Sequence, residues 1–164
     1  MKTYSLFIIK PGFLAKKEEV FKLLDQNGIK IDKMQESMLT REMVERHYQE
    51  HYGKPFYNSL VDYMTTGNVE DLMKFNPNCI RMVVSSKIEN ETEEDFIVRS
   101  RKVVKEVLRP ALAFNRKKFA FLSDEQFQEL SMTANGIHAS DSPASAEREI
   151  NNLFPDYFAC EKEM

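Results

Sequence analysis

The chain has 164 residues, of which 42% are hydrophobic and 30% are charged, and its net charge is −3. This composition is typical of one soluble globular domain, here residues 1–164, and excludes a disordered chain. The mild negative charge gives no electrostatic case for nucleic-acid binding, so no specific nucleic-acid partner is expected. The first apolar run stops at Lys10 and Pro11, which is too short for a signal peptide or a membrane span. Cys79 and Cys160 are expected to be free thiols, and together these features predict a cytoplasmic protein without a membrane partner.

Apolar periodicity in the first half of the chain predicts alternating strands and helices. The opening run YSLFII is aromatic and β-branched, as buried strands are, and a Pro-Gly pair breaks it. Thr40 is a good helix N-cap, and Gly28 and Gly67 fall where glycine usually ends a helix. The pattern predicts strands over 4–9 and 29–39 and helices over 15–27, 41–52 and 55–67.

The second half of the chain has a weaker pattern after Pro110. Its predicted elements are a short helix and turn over 68–78, a strand over 79–86, a long helix over 93–108, a strand-like FAFL at 119–122, one helical turn at 124–130, a last strand around 131–138, and a final helix that begins at Ser142-Pro143. This element order indicates an α+β fold with helices on an antiparallel sheet.

Lys10 directly follows the first strand and precedes Pro-Gly, so its ammonium should emerge at a sheet end. A lysine in this position is most often one that extends its charged group to water. The functional alternative is an anion clamp, because a compact ammonium suits phosphate oxygens.

His47 and His51 lie four residues apart, on one helical face. Histidines with that spacing can share a zinc ion, but the glutamate of the H-E-x-x-H motif is absent and no third ligand is evident. An ordinary solvated helix face is therefore the favoured interpretation. Tyr48 lies between them and can reach a pocket shared with the following GKPFY turn.

The helix over 93–109 carries Arg101, Lys105 and Arg109 at four-residue spacing, which places them in one stripe. Cations near a helix C-terminus suit its dipole and a wet surface. The alternative is a wall that binds polyphosphate, extended by Arg116, Lys117 and Lys118 in the loop beyond. The stripe alone favours the first interpretation.

His138 is placed at a strand exit, before a helix that carries Glu149 eleven residues later. A carboxylate that reaches one ring nitrogen would fix the tautomer and leave the other nitrogen unprotonated and nucleophilic. Ser140 and Asp141 add polar neighbours. This group of residues favours a reactive histidine over one that only fills the core.

Three segments resemble motifs of the nucleoside diphosphate kinase family. The segment around His138, NGIHASDSPASAEREI (135–150), resembles the family's signature around its phosphorylated histidine. FIIKPG (7–12) resembles the strand that ends in Lys-Pro-Asp-Gly, and HYQEHYGKPFYNSLVDYMTTG (47–67) resembles a further family segment. The resemblance implies a ferredoxin-like βαββαβ antiparallel sheet covered by helices, with extra helical insertions.

The resemblance also implies an activity, namely ping-pong transfer of a γ-phosphate from a nucleoside triphosphate to a nucleoside diphosphate through a phosphohistidine. The implied partners are ATP and other nucleoside di- and triphosphates, with Mg²⁺ held through the phosphates and no direct protein ligand, and a homo-oligomer that is a hexamer or a tetramer of dimers. The implied residue roles are His138 as nucleophile, Glu149 as its orienting partner, Ser140 behind it, Lys10 and Tyr48 on the transferred phosphate, Phe56 and Leu60 at the base, and Asn135 at the ribose.

The sequence departs from the family in its phosphate-binding loops. Lys-Pro-Gly-Phe replaces Lys-Pro-Asp-Gly, and the family's G-x-T-(N/D)-P and P-G-(T/S)-I-R motifs are missing. The nearest echo, AFNRKKFAF, nominates Arg116, and the other phosphate-binding arginine corresponds best to Arg101, with Arg99 as a rival. These departures motivate an alternative, a nucleotide-binding regulatory module with weak or no transferase activity. A zinc hydrolase that uses His47 and His51 is a third hypothesis.

Overall fold

A four-stranded antiparallel sheet with the strand order β2-β5-β1-β6 forms the centre of the fold. The structure is a computed structural model that describes the backbone of residues 3–162 and the side chains of residues 3–159. Its strands are β1 (Tyr4–Ile9), β2 (Ile29–Ser37), β3 (Asn68–Val69), β4 (Met73–Lys74), β5 (Cys79–Ser86) and β6 (Ile137–Ala139).

The helices cover the sheet and connect its strands. They are α1 (Lys17–Gln26), α2 (Arg41–His47), α3 (Tyr57–Thr66), α4 (Glu93–Val103), α5 (Arg109–Leu112), α6 (Asp124–Thr133), α7 (Pro143–Leu153) and α8 (Tyr157–Lys162). Short 3-10 turns lie at Leu14–Lys16, Gln49–His51 and Arg116–Phe119, and a π-helical segment lies at Val104–Leu108. The order of β1, α1, β2, β5, α4 and β6 is βαββαβ, which confirms the ferredoxin-like α+β prediction.

The register of β1 sets the position of the candidate site. All six residues of β1 are buried, as expected for an apolar strand covered on both faces. Ile8 lies opposite His138 on β6, and the backbone N–H of Lys10 donates to the carbonyl of Gly136 at 2.9 Å. Because side chains alternate across a strand, Lys10 and His138 are diagonal neighbours on one face of the sheet.

Several predicted elements agree with the structure and others are wrong. The strands at 4–9 and 79–86 and the final helix, in which Ser142 Oγ accepts from the Ser145 N–H, are confirmed. Residues 68–78 form the β3–β4 hairpin and not a helix, because Gly67 ends α3 at φ 81° and its carbonyl accepts from the Phe75 N–H at 2.8 Å.

The segment after Pro110 differs most from its prediction. FAFL (119–122) is a turn and not a strand, since both neighbours of β1 are already in place. The expected single turn at 124–130 is the ten-residue helix α6, whose start is fixed by a capping box between Ser123 and Gln126. The last strand is correspondingly limited to residues 137–139.

The remaining structural expectations concern thiols and membrane spans. Cys79 is a free, buried thiol, whereas the side chain of Cys160 lies outside the described residues. Within residues 3–162, no helix combines the length and the apolar character needed to cross a membrane.

Candidate active site

A histidine, a carboxylate and a hydroxyl meet where β6 faces α7. His138 Nε2 lies 2.6 Å from Glu149 Oε1, and Ser140 Oγ donates to the same oxygen at 2.9 Å. Glu149 is only 4% exposed, and Ser140 is itself held because its Oγ accepts from the Leu6 N–H. A carboxylate oxygen accepts hydrogen bonds, so this contact assigns the ring proton to Nε2. Nδ1 of His138 is then left as the unprotonated nitrogen.

The surroundings of His138 keep its imidazole neutral. Burial is the largest cause that lowers the pKa of His138, and the positive charges of Lys10, Arg109 and Arg148 lower it further. A neutral imidazole keeps a lone pair on Nδ1, which a nucleophile requires.

Lys10 is a buried cation beside this histidine. Its side chain is 6% exposed, and its Nζ donates to Asn135 Oδ1 at 2.8 Å. Burial, and then the charge of Arg109, lower the pKa of Lys10 to about 7. An ammonium that has lost most of its hydration gains strongly from an anionic ligand, because such a ligand restores the missing electrostatic partner.

A main cleft of about 730 Å³ opens over these groups. Six of the residues predicted for the site line it, namely Lys10, Tyr48, Phe56, Leu60, Asn135 and His138. The Tyr48 hydroxyl is buried and has no hydrogen-bond partner among residues 3–159, and burial raises the pKa of this phenol. It is therefore a protonated donor available to a ligand. Glu149 and Ser140 lie behind His138, as the resemblance implied.

Arg101 does not line the main cleft but shares a smaller cavity with His138. It lines a basic groove of about 340 Å³ with Lys105 and Arg109, and a smaller cavity of about 190 Å³ with His138 and Arg148. Its rival Arg99 instead donates to the Asn27 and Gly28 carbonyls and pairs with Glu91. Of the two arginines, Arg101 therefore lies at the site, whereas the hydrogen bonds of Arg99 anchor helix α4.

Arg116 is not brought into the site. Its guanidinium donates to the carbonyls of Phe119 and Leu122 at 2.7 and 2.8 Å and pairs with Asp124 at 2.9 Å. It therefore satisfies the carbonyls of a turn before α6 and does not line the main cleft. The residues around it fold as a 3-10 turn followed by α6.

Arg109 is a functional candidate, although the stripe alone favoured a solvated helix face. It follows the π-helical segment at Val104–Leu108, and its charge acts on both Lys10 and His138. Pro110 explains the π segment, because it cannot donate to the carbonyl four residues earlier and its ring crowds that carbonyl. Arg109 still lines one groove with Arg101 and Lys105. The Arg109-Pro110 pair is the feature of the sequence that could have indicated the irregular helix at this point.

The two predicted zinc ligands do not form one site. His47 is buried, its ring centroid lies 4.4 Å from that of His138, and within the part of the chain that the structure describes neither of its ring nitrogens has a hydrogen-bond partner. His51 instead contacts Lys54 Nζ at 3.2 Å. Within residues 3–159, the cluster with metal-ligating side chains is His47, His138 and Glu149. Its 2.6 Å contact between His138 and Glu149 is that of a hydrogen bond, since two ligands of one zinc ion stand farther apart.

Comparison with known proteins gives consistent results over most of the chain. A family model described as nucleoside diphosphate kinase matches residues 3–158. The chain is 35% identical to a nucleoside diphosphate kinase of Archaeoglobus fulgidus, over 84% of this chain and 76% of the relative. It is 30% identical to one of Clostridium perfringens, over 94% and 92%.

Solved structures share the fold at lower identity. The Aquifex aeolicus nucleoside diphosphate kinase superposes with a TM-score of 0.63 at 23% identity, covering 94% of this chain and 96% of that one. The Halobacterium salinarum enzyme, solved in complex with CDP, gives a TM-score of 0.65 at 20% identity, covering 96% and 90%.

Proposed function

Because the chain belongs to the nucleoside diphosphate kinase family and is an enzyme of that kind, we propose that it works by a ping-pong mechanism through a phosphohistidine on His138. The observation that carries this proposal is the contact of His138 Nε2 with Glu149, which leaves Nδ1 as the free nitrogen of a residue that lines the main cleft.

The first half-reaction forms a nitrogen–phosphorus bond. The lone pair on His138 Nδ1 attacks the γ-phosphorus of the donor, and the bond from that phosphorus to the β,γ-bridging oxygen breaks. The electron pair leaves with the nucleoside diphosphate. Glu149 holds the proton on Nε2 and stabilises the positive charge that develops on the ring.

The second half-reaction is the reverse, with a different nucleotide. The departing diphosphate frees the main cleft, and an acceptor diphosphate takes its place. A terminal β-phosphate oxygen of the acceptor attacks phosphorus, the nitrogen–phosphorus bond breaks, and Nδ1 regains its lone pair. One cleft that serves both nucleotides in turn accounts for ping-pong kinetics.

The cations around His138 stabilise charge on the transferred group. Lys10 lines the cleft directly, and Arg101 and Arg109 approach from the basic groove. The unpartnered Tyr48 hydroxyl supplies a further hydrogen bond. Phosphoryl transfer requires positioning and charge neutralisation more than covalent chemistry from the protein, and these groups provide both.

The base and ribose are assigned to the outer half of the main cleft. Phe56 is 49% exposed and lines the cleft, so one face can stack on a base while Leu60 packs beside it. Lys54 Nζ lies over the Phe56 ring, 5.8 Å from its centroid, and Lys54 does not itself line the cleft. Asn135, whose amide oxygen accepts from Lys10, is proposed to bind a ribose hydroxyl.

Nucleoside diphosphate kinases generally use a divalent metal, and Mg²⁺ is proposed here. The phosphate end of the cleft offers ammonium, hydroxyl, amide and imidazole groups, while Glu149 is engaged by His138 and Ser140. This donor set fits an ion held by the nucleotide phosphates and water, which is how Mg²⁺ is often bound. Such an ion neutralises phosphate charge. Homo-oligomeric assembly as a hexamer or a tetramer of dimers, and the cytoplasmic location, stay predictions.

The mechanism is tested by exposing the protein to ATP labelled in the γ-phosphate, without an acceptor. The expected result is a labelled protein that is stable in base and labile in acid, and that transfers its label to added GDP. His138→Gln should abolish labelling, whereas His51→Gln, which removes the histidine bonded to Lys54, should retain it. Nucleotide-dependent thermal stabilisation without labelling would support the regulatory-module alternative and overturn the mechanism.

A further inference from the structure

The outer half of the main cleft is acidic, in contrast to its inner end. Glu70, Glu125 and Glu129 line it, and the last two lie one turn apart on α6. Among the described residues that line this cleft, Lys10 supplies the ammonium, and it lies at the inner end beside His138. A nucleotide therefore enters with its phosphates toward Lys10 and its base toward the carboxylates.

The carboxylate of Glu70 is held beside the ring that is proposed to stack on the base. Ser59 Oγ donates to Glu70 Oε1 at 2.9 Å. Ser59 lies three residues after Phe56 and directly before Leu60, so the hydroxyl lies on the same face of the chain as Phe56. The β3–β4 hairpin that carries Glu70 is tied to the end of α3 by the 2.8 Å bond from the Phe75 N–H to the Gly67 carbonyl.

Glu129 lines the same cleft as Glu70. The pKa of Glu129 is raised, and the neighbouring Glu70 carboxylate is the largest cause. Two carboxylates this close share a proton or require donors from elsewhere, because like charges repel. The cleft also contains the buried, unpartnered hydroxyl of Tyr48, an independent sign that a polar ligand completes it. Both ends of the cleft thus have polar groups that a ligand would satisfy.

The bases differ in what they can offer to a carboxylate. Guanine presents two adjacent donors, N1–H and the N2 amino group, which match the two oxygens of one carboxylate. Adenine and cytosine place an acceptor nitrogen beside their amino group, and a carboxylate repels that lone pair. Uracil and thymine have a single N–H between two carbonyl oxygens. A bidentate contact to a carboxylate is therefore available only to guanine among these bases.

We propose that Glu70 and Glu129 make the cleft selective for guanine nucleotides by accepting hydrogen bonds from N1–H and the N2 amino group of a base stacked on Phe56. The inference rests on the proposed function, since it assigns the base of the same nucleotide whose phosphates reach His138. It adds recognition of a base edge to stacking, which by itself accepts every base.

The test uses the isolated phosphoenzyme, so that the donor nucleotide has no influence. Its discharge is followed in single turnovers with GDP, IDP and ADP as acceptors. IDP lacks only the N2 amino group, and we expect GDP to be about tenfold more efficient than IDP, the loss typical of one hydrogen bond to a charged group. ADP should be less efficient than IDP.

Matched variants distinguish the effect of these two carboxylates on base preference from general effects of charge. Glu70→Gln and Glu129→Gln together should bring GDP and IDP to within about twofold of each other, because GDP loses two charge-assisted hydrogen bonds and IDP, which donates only N1–H, loses one. Glu19→Gln removes an exposed charge on α1, away from the cleft, and should keep the preference for GDP. Thermal stabilisation of His138→Gln by GDP and IDP should show the same order without any chemistry.

The outcomes distinguish this inference from the mechanism beneath it. If no phosphoenzyme forms, the proposed mechanism fails, and the thermal measurement alone decides base selectivity. If the phosphoenzyme discharges to GDP and IDP equally, selectivity is absent and the inference is overturned. A double variant that loses efficiency equally with all three acceptors would also overturn it, because the carboxylates would then act on the phosphates or their metal ion.

Discussion

The two ends of the main cleft are built from different kinds of structure. The phosphate end rests on β1 and β6, whose register fixes Lys10 and His138 against each other, and on α7, which fixes Glu149. The base end is assembled from α3, the β3–β4 hairpin that follows it directly, and the distant helix α6. The register of paired strands tolerates little change in sequence, whereas the segments at the base end can vary more. The sheet and α7 thus position the catalytic groups, and we expect the segments at the base end to determine the preference for a base.

The largest effect is expected at Lys10. Lys10→Met should lower kcat/KM about a thousandfold, because it removes a preorganised charge from the transferred phosphate. The fold should persist, since the substitution also removes a buried ammonium. Steady-state transfer from ATP to GDP and a thermal melt measure the two quantities. A loss below tenfold would mean that the phosphate end does not depend on this cation.

Glu149→Gln should lower kcat about a hundredfold, because an amide no longer stabilises the imidazolium and can favour the wrong tautomer. Phosphoenzyme formation in a rapid-quench experiment measures this step directly. Ser140→Ala, which removes the bonds of Ser140 Oγ to Glu149 Oε1 and to the Leu6 N–H, should cost less. An equal loss in both variants would show that orientation of the carboxylate, and not its charge, matters.

A substitution at Gly67 should disrupt the base end of the cleft and leave the phosphate end intact. Gly67 has φ 81°, and an added Cβ would lie 2.1 Å from the Phe75 carbonyl oxygen, so Gly67→Ala must displace the hairpin. The free energy of unfolding should fall by about 1–3 kcal/mol. Phosphoenzyme formation should change much less than the ratio of GDP to IDP discharge. If both change together, the two ends are not independent.

The motifs predicted the phosphate end because its residues are short-range neighbours of recognisable strands and helices. His138, Glu149 and Ser140 lie within twelve residues, and Lys10 ends an apolar strand. The base end could not be predicted as well. The hairpin at 68–74 depends on a contact between Gly67 and Phe75, and Glu70 and Glu129 meet only because two distant segments fold toward each other.

The arginines show the same limit of prediction from the sequence. Arg116 lies in a sequence that echoes a family motif, yet local carbonyls take up its donors. Arg109 lines the same groove as Arg101 and Lys105, as their spacing predicted, but the spacing alone did not distinguish a phosphate-binding wall from a solvated helix face.

Arg116→Gln is therefore expected to leave kcat/KM within about twofold and to lower the free energy of unfolding by about 1 kcal/mol, the usual value of a hydrogen bond. Arg109→Gln should do the opposite, with reduced transfer and a smaller change in stability. Paired kinetic and denaturation measurements on the two variants decide between these roles. Reduced transfer in Arg116→Gln with unchanged stability would restore its assignment as a phosphate ligand.

The smallest effect is a proton taken up when nucleotide binds. Lys10 has a pKa of about 7 in the free protein, so at pH 8 most of it is neutral, and a bound phosphate should raise that pKa. Binding at pH 8 should take up as much as about one proton, and binding at pH 6 much less. Titration calorimetry in two buffers of different ionisation enthalpy measures the uptake. Equal uptake at both pH values would contradict a lowered pKa of Lys10.

The same depressed pKa of Lys10 affects the stability of the free protein. Between pH 7 and the ordinary pKa of lysine, the unfolded chain binds more protons at this residue than the folded chain does. The contribution of Lys10 to the free energy of unfolding should therefore increase as pH rises through this window. Lys10→Met should lack that part of the pH dependence.

The identity of the phosphorylated nitrogen is the most direct test of the whole mechanism. Nuclear magnetic resonance of ¹⁵N-labelled phosphoenzyme, prepared with ATP and kept at alkaline pH, distinguishes phosphate on Nδ1 from phosphate on Nε2. With Nε2 of His138 committed to Glu149, one phosphate per chain on Nδ1 of His138 is the expected result. Phosphate on Nε2, or on another residue, would contradict it.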